Sequence, residues 1–596
     1  MRCAHDVIVP GWPEKVGLRV TVPMRTTRWS IGARVAAVVL LMVHALLAWS
    51  FRVPGLSSSA DDAAYLALAR ALRSGSYAEL WTAGGPTHAM YPPGYPALLA
   101  LVGATGPAQV QLAVGLSVLL SVAALALATV LAGRVAPWLA VAVLAVCAPN
   151  PMLVDLAGRI YSEPLFMVLT LATVLLLTAD APTTRTRALA GAAALAASLT
   201  RSIGVVLVMA VLAEWAMQRR WRAVLVLAGI ACVTVVSWLI WTVQAPRRSA
   251  GSSYIADAMH VPVRTGTTTP GLVDADGASG SPRLSETDDT VRATTRGMAG
   301  AVATLAVRVR QQTSVYLTRT IPSALAQPTV PGTPIDNALG FVVLLVAGGL
   351  GFGQLIRRQR MTAIHLAAYA GVLLVWPYAS GRFVAPVLPL LVLMLLLGIW
   401  SAGGRWHSPR TAWFGVWLVA GMYAVGALRL DAARWAEVSP CDRTADSWRD
   451  PSCASARQRE FRAAMDTAAK LAKPGSPLLT SKAATVFLLS GRVSVVPDTE
   501  QRGRDPDAFI AALRTQQVDV VILSQMHFAQ WGLSPMLSAR CGAFALLASF
   551  GPHTKVLRLL PGNTPPNDLG AACAAIRSWA SGDWVADVEQ ARAGVW

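Results

Sequence analysis

Apolar residues fall along this chain in long runs separated by short polar punctuation. The runs occupy 35–50, 109–132, 136–152, 164–178, 188–200, 203–217, 223–243, 338–356, 361–379, 384–402 and 411–430. An apolar helix of about 20 residues matches the hydrocarbon thickness of a bilayer. The pattern therefore predicts a polytopic α-helical membrane protein with about eleven transmembrane helices, the runs at 136–152 and 188–200 being the shortest for the task. No small-residue cleavage site follows the first run, so it is expected to stay as an anchor rather than be removed as a signal peptide. Basic residues punctuate alternate ends: Arg134, Arg185 with Arg187, Arg219 with Arg220 and Arg222, Arg357 with Arg358 and Arg360, and Arg405 with Arg410. If the tail 1–34 (Arg19, Arg25, Arg28, Arg34) is cytoplasmic, alternation puts all these clusters on the cytoplasmic side, as the positive-inside rule requires.

That alternation places three polar regions on the outer face of a cell (inner or plasma) membrane: 51–108, 245–335 and 431–596. The second is rich in Ser, Thr and Gly, with an amphipathic stretch near 298–320. In the third, strand-like runs (477–481, SVVPD, VDVVILS, FALLASF, KVLRLL) alternate with helix-like ones (AATVFLLSG, DPDAFIAALRTQQ). Such alternation predicts a C-terminal extracytoplasmic α/β domain over 431–596, beyond a membrane domain at 35–430. No glycine-rich phosphate fingerprint follows any of its strands, which argues against a nucleotide site.

Composition agrees with immersion in lipid. Hydrophobic residues make up 54% of the 596 and charged residues 14%, against about 25% charged in soluble proteins. The net charge of +19 is dispersed among the loop clusters rather than gathered in one patch, so it reads as membrane orientation and not as nucleic-acid binding. Of seven cysteines, Cys441, Cys453, Cys541 and Cys573 fall in the exported region. They are expected to form up to two disulfides in an oxidising compartment, with three pairings open.

Candidate chemistry is concentrated in 57–101, SSSADDAAYLALARALRSGSYAELWTAGGPTHAMYPPGYPALLAL. Ser59 or Asp61 can cap a helix beginning near Asp62 and ending at Ser74–Gly75. The prolines of YPPGYP then force an extended or turn segment before the chain re-enters the membrane. Further marks are Ser162-Glu163-Pro164 opening one run, Leu199-Thr200-Arg201 closing another, and Gly381-Arg382-Phe383 with Pro386 and Pro389 opening a third. Two adjacent carboxylates suit proton abstraction from a hydroxyl. Arginines at outer span ends suit a phosphate.

In this order the residues resemble the GT-C-fold membrane glycosyltransferases, close to the protein O-mannosyltransferases and lipid A aminoarabinose transferases. The resemblance covers about 35–430 and rests on Asp61, Asp62 and Tyr65 followed by Tyr91-Pro92-Pro93-Gly94-Tyr95-Pro96. It implies inverting transfer of a sugar from a polyprenyl-phosphate donor to a glycan, lipid or protein acceptor. Asp61 would then be the general base, with Asp62 orienting the acceptor or the base. The expected substrate contacts are Tyr65, His88, Tyr91, Tyr95, Asp155, Glu163, Arg201 and Arg382. The aminoarabinose relatives carry a lysine immediately before the paired prolines, where this chain has Tyr91. A divalent cation (magnesium or manganese) is compatible with the acidic residues and not demanded, and no clustered Cys/His metal spacing is present. The rival readings are a transporter or flippase for lipid-linked sugars and a non-enzymatic scaffold. A transporter would favour inverted repeats and mid-span charges, neither of which is evident.

The orientation has a direct test. A reporter fused after Trp596 is expected to be active only on the outer side of the membrane; cytoplasmic activity would overturn both the alternation and the disulfide argument.

Overall fold

The computed structural model describes residues 29–244, 298–325, 334–438, 453–495, 505–526, 533–562 and 569–580 with Cys441, apart from gaps at 54, 57–59, 180–181, 377–378 and 407–408. Most of the tail 1–34 and of the loop 245–335, and the latter part of SVVPD, lie outside these residues. The first part of the chain forms α1 (Ile31–Ser50), α2 (Ala60–Arg73), α3 (Gly94–Leu101), α4 (Val110–Gly133), α5 (Pro137–Cys147), α6 (Pro151–Ala157), α7 (Glu163–Leu177), α8 (Thr184–Thr200), α9 (Val205–Met217), α10 (Trp221–Ala231) and α11 (Ser237–Gln244). Later helices include Met298–Val315, Pro334–Arg358, Arg360–Val375, Leu388–Trp406 and Pro409–Val438.

Among the described residues, five helical stretches are long and apolar enough to cross a membrane: Ile31–Ser50, Pro107–Gly133, Trp221–Thr242, Gly381–Gly403 and Arg410–Ala436. The pair α5 and α6 adds a sixth if counted as one span, and Glu163–Leu177, Ser202–Met217 and Arg360–Val375 are shorter apolar helices. Large apolar side chains point outward from these helices, among them Leu225 at 71%, Val233 at 69%, Leu119 at 65% and Phe414 at 64% exposure. Water would penalise such contiguous apolar faces; lipid tails do not.

Small residues bring the helices together. Helix Pro334–Arg358 packs along Leu388–Trp406, and a Cβ on Gly351 would sit 1.7 Å from the Met394 carbonyl oxygen. A Cβ on Gly398 would likewise sit 1.8 Å from the Ala347 carbonyl oxygen, so the two backbones touch.

The run 136–152, expected as one short span, is instead broken: α5 and α6 meet at 73°. Pro151 cannot continue a helix through its own position. Asn150 caps α6 by accepting from the amides of Met152 and Leu153, and its side-chain amide donates to the Ala324 carbonyl at 2.9 Å. The YPPGYP segment also differs from a purely extended turn. Gly94 already starts α3, with Pro96 in the first turn, where a missing N–H costs nothing.

Beyond residue 453 the chain forms a five-stranded sheet in the order β2-β1-β3-β5-β4, from β1 (Leu478–Leu479), β2 (Ser494–Val495), β3 (Val520–Ser524), β4 (Phe544–Phe550) and β5 (Thr554–Leu559). The β1 strand pairs in parallel with β2 and β3, whereas β5 is antiparallel to β3 and β4. All five residues of β3 are buried, because helices cover both faces of the sheet. Val520 and Ile522 pack with Phe461 and Met465 of helix Ala456–Leu471. Val521 and Leu523 pack with Phe509 and Trp579 on the other side. Disulfides join Cys441 to Cys453 and Cys541 to Cys573.

The backbone contact makes a specific demand. Gly398→Val is expected to lower stability in bilayer discs by about 1–3 kcal/mol, measured by thermal unfolding, because the helix pair must separate. An unchanged midpoint would mean that the two helices do not touch at Gly398.

Candidate active site

The acidic pair opens α2. Adjacent helical residues point about 100° apart, and the two carboxylates enter different surroundings. Asp61 faces inward to the bundle: one oxygen accepts from the Tyr91 hydroxyl at 2.5 Å and the other from Arg382 Nη1 at 2.5 Å. Asp62 is 5% exposed, and one oxygen accepts from the Ala63 amide at 2.7 Å. One turn beyond Asp61, on the same face, the Tyr65 hydroxyl lies 3.1 Å from Ser162 Oγ.

A second carboxylate comes from the start of α7. Glu163 has a side chain with no solvent exposure, and a helix N-terminus favours its charge. Its oxygens accept from Arg382 through both Nε and Nη2, the latter at 3.3 Å, and pair with Arg201 Nη1 at 2.7 Å. Arg201 is the C-cap of α8 and also donates to Ser162 Oγ at 3.0 Å. Arg382 lies in the turn of helix Gly381–Val384, which Ser380 caps, and its Cζ sits 4.0 Å over the Tyr161 ring. Asp61, Arg382, Glu163 and Arg201 thus form a continuous ladder of alternating charge. Glu163 is sealed at its base, while Arg382, Asp61 and Arg201 keep 25%, 16% and 15% of their side chains exposed.

The first-loop turn is built to hold Tyr91 in place. His88 is 2% exposed; its Nε2 accepts from the Tyr91 amide at 2.9 Å. An amide can only donate, so the imidazole carries its proton on Nδ1, which donates to Glu79 at 3.0 Å. Glu79 also accepts from Thr82 Oγ1 at 3.0 Å. The Tyr91 ring packs 4.9 Å from that of Tyr65, which stacks edge-on against Tyr95, also at 4.9 Å. Gly94 lies so close to the end of α8 that a Cβ would meet the Leu199 carbonyl oxygen at 2.7 Å. Only glycine lets the turn and the Arg201 helix end approach this closely.

The two aspartates titrate differently. Burial pushes Asp61 up, but the Arg382 charge, the Tyr91 hydroxyl and Arg201 outweigh it and hold the carboxyl below the ordinary aspartate range. Burial pushes Asp62 up to about 6, against the opposing pull of Lys482 and the Ala63 amide.

Of the residues singled out in the sequence, Asp61, Tyr65, Tyr91, Glu163, Arg201 and Arg382 come together here. Three others are placed elsewhere. His88 has both ring nitrogens engaged by protein, so it shapes the Tyr91 turn instead of facing a ligand. Tyr95 is fully buried behind Tyr65, with its hydroxyl 3.3 Å from Ser117 Oγ. Asp155 pairs with Arg159 at 2.9 Å and with Arg434 at 3.0 Å, outside the ladder. Asp62 borders the ladder without joining it. Among the described residues, no three of His, Cys, Asp and Glu converge as a metal-binding group. Sequence reasoning missed Tyr161 and Lys482. No spacing rule ties residue 482 to residue 62, and an aromatic under an arginine leaves no linear signature.

No family model matches the chain, and no curated protein matches it. Solved structures do resemble it. ArnT from Cupriavidus metallidurans in the apo state is 15% identical, covering 88% of this chain and 98% of that one, with a TM-score of 0.46. The oligosaccharyltransferase AglB from Archaeoglobus fulgidus, in complex with an inhibitory peptide and a dolichol-phosphate, is 11% identical over 87% of this chain and 73% of its own, with a TM-score of 0.48. The arabinofuranosyltransferase AftD from Mycobacteria is 15% identical over 90% of this chain and 40% of its own, with a TM-score of 0.39. All three are GT-C-fold glycosyltransferases.

The ladder predicts a stability effect. Glu163→Gln leaves two arginines without their shared buried counter-charge and is expected to cost about 3–5 kcal/mol, read from the unfolding midpoint in lipid discs. A variant as stable as wild type would show that the pairing at Glu163 is not needed to hold the arginines.

Proposed function

We propose that this chain is a membrane glycosyltransferase. It takes a sugar from a polyprenyl-phosphate carrier and transfers it, with inversion, to a glycan, lipid or protein acceptor at the extracytoplasmic face. About eleven spans carry the site, and the C-terminal region stands on the outer side. The observation that carries this reading is the convergence of two arginines from separate helix ends on a carboxylate ladder that includes Asp61 and Glu163.

The chemistry follows from that arrangement. The acceptor oxygen attacks the anomeric carbon as the bond from that carbon to the phosphate oxygen breaks. The acceptor proton passes to Asp61, and the carrier leaves as a phosphate monoester bearing one more negative charge than in the donor. Arg382 and Arg201 are the groups placed to take up that charge, since a guanidinium fork matches phosphate oxygens. Donor binding draws Arg382 toward the phosphate and loosens its bond to Asp61, which frees the carboxylate as a proton acceptor at the moment it is needed. Tyr91 keeps Asp61 oriented meanwhile, and Asp62 orients the acceptor. Glu163 holds both arginines, and Asp155 acts away from the reacting atoms.

The test is transfer of radiolabelled sugar from a panel of polyprenyl-phosphate sugars by purified protein in lipid. Asp61→Asn is expected to lower the rate by about 10²–10⁴-fold while the protein stays folded. Undiminished transfer by that variant removes the assigned base. Silence from folded wild-type protein with every carrier rejects the enzyme reading and favours carrier flipping.

A further inference from the structure

The C-terminal sheet ends on β2, and an edge strand turns one row of its amides and carbonyls away from the sheet. Within the sheet, β1 reaches β2 through the Val493 and Val495 carbonyls, which accept from the Leu478 and Thr480 amides at 3.1 and 3.2 Å. The backbone of Ser494 points the other way. Its amide donates to the Trp81 carbonyl at 2.8 Å, and its carbonyl accepts from the Ala83 amide at 3.2 Å. Thr82 and Ser494 thereby form a parallel bridge, and the first loop adds itself to the sheet edge. A second contact lies beside it. Helix Ala483–Ser490 packs on α2, and its Ala483, Ala484 and Leu488 share one apolar cluster with Ala63, Tyr65 and Tyr91.

The bridged residue is also the first link of a hydrogen-bonded path into the site. Thr82 Oγ1 donates to Glu79, Glu79 accepts from His88 Nδ1, His88 Nε2 accepts from the Tyr91 amide, and the Tyr91 hydroxyl donates to Asp61. Glu79, Thr82 and His88 are all buried, which strengthens these bonds and penalises their loss. Two further bonds close the loop on itself: the Glu79 amide donates to the Pro86 carbonyl at 2.8 Å, and the His88 amide donates to the Tyr77 carbonyl at 3.0 Å. From the other side, Trp241 of α11 donates through Nε1 to the His88 carbonyl at 3.0 Å. The loop is gripped between the helical bundle and the sheet edge.

We propose that Ser494 is a positioning residue of the active site. Its backbone fixes Trp81–Ala83, and through Thr82, Glu79 and His88 it sets where Tyr91 meets Asp61. The inference rests on the glycosyltransferase reading for its effect on sugar transfer, whereas the mechanical link can be observed without turnover. A free loop has many conformations of similar energy, and backbone bonds to a strand already held in a sheet remove most of them. The C-terminal region thereby acts on the reaction through the placement of the first loop.

The experiment removes one bridge bond from the first-loop side. Ala83 follows Thr82 in a turn that the Gly85 amide closes on the Thr82 carbonyl at 3.0 Å, with Gly84 at φ 82°. This is the type II pattern, in which proline is favoured at the Ala83 position. Ala83→Pro therefore keeps the turn and loses the amide that donates to Ser494; Ala83→Ser keeps both. In the full chain in lipid discs, amide exchange of the segment 77–91, followed by mass spectrometry, should quicken by about tenfold in Ala83→Pro. It should stay at the wild-type rate in Ala83→Ser, with β3 unchanged in both. Sugar transfer by Ala83→Pro should fall by about 10–100-fold. In a Tyr91→Phe background the same substitution should cause no further loss, because the loop acts through the Tyr91 hydroxyl; a general loosening of the fold would cause the same loss in either background. Unchanged exchange at 77–91, undiminished transfer by Ala83→Pro, or equal losses in the two backgrounds each overturn the inference. If Ala83→Pro does not accumulate as folded protein, Ser494→Pro breaks the bridge from the other side, outside the bonds that join β1 to β2, and is held to the same readings. Failure of both means that the bridge holds the fold and not the site, which also overturns it. Quickened exchange with no transfer by wild type supports the link and sinks the enzyme reading.

Discussion

A guanidinium taken out of water needs charge around it, and one end of this helical bundle is arranged to supply that charge to Arg382. Glu163 comes from the start of α7, Asp61 from the start of α2, and Arg382 from the turn at Gly381–Val384. These residues are far apart in sequence, and each would be costly to bury alone. Their mutual neutralisation makes the site possible, so the three helix ends must meet. The remaining features follow in sequence: Tyr91 must stand where its hydroxyl reaches Asp61, His88 must hold the Tyr91 amide, and Glu79 must fix the tautomer of His88. The same ladder that offsets burial leaves its cations partly open to an incoming anion.

Asp61 and Asp62 are neighbours in sequence with opposite environments. Arg382 and the Tyr91 phenol hold one below the ordinary aspartate range, and burial pushes the other up. Two carboxylates whose proton affinities are driven apart can divide proton transfer and orientation between them.

The helical character of the apolar runs between 35 and 430 was legible because runs of that length have few alternatives, and Arg201 and Arg382 stand at helix ends, where one run closes and another opens. The strand and helix segments near the C-terminus were visible as short strand-like runs, 477–481 and VDVVILS among them, alternating with helix-like ones. The break between α5 and α6 was not, although Asn150-Pro151 carried its signature, because a smooth apolar run masks a single cap. His88 illustrates a deeper limit. A lone loop histidine offers the same one-dimensional signal whether it meets a ligand or a backbone amide, and only the fold decides. The pairing of Thr82 with Ser494 lies beyond sequence reasoning for a related reason: long-range pairing follows from topology, and periodicity records only local structure.

The bridge from Thr82 to Ser494 also sets a timetable. A ribosome makes the first loop long before it has made the strand that loop must meet. Until then the Trp81 carbonyl and the Ala83 amide have no strand partner. The first loop would wait for its partner through the synthesis of every later helix, and truncated products would lack the bridge. Biogenesis itself would then act as a quality gate: only chains translated past Ser494 can close the bridge.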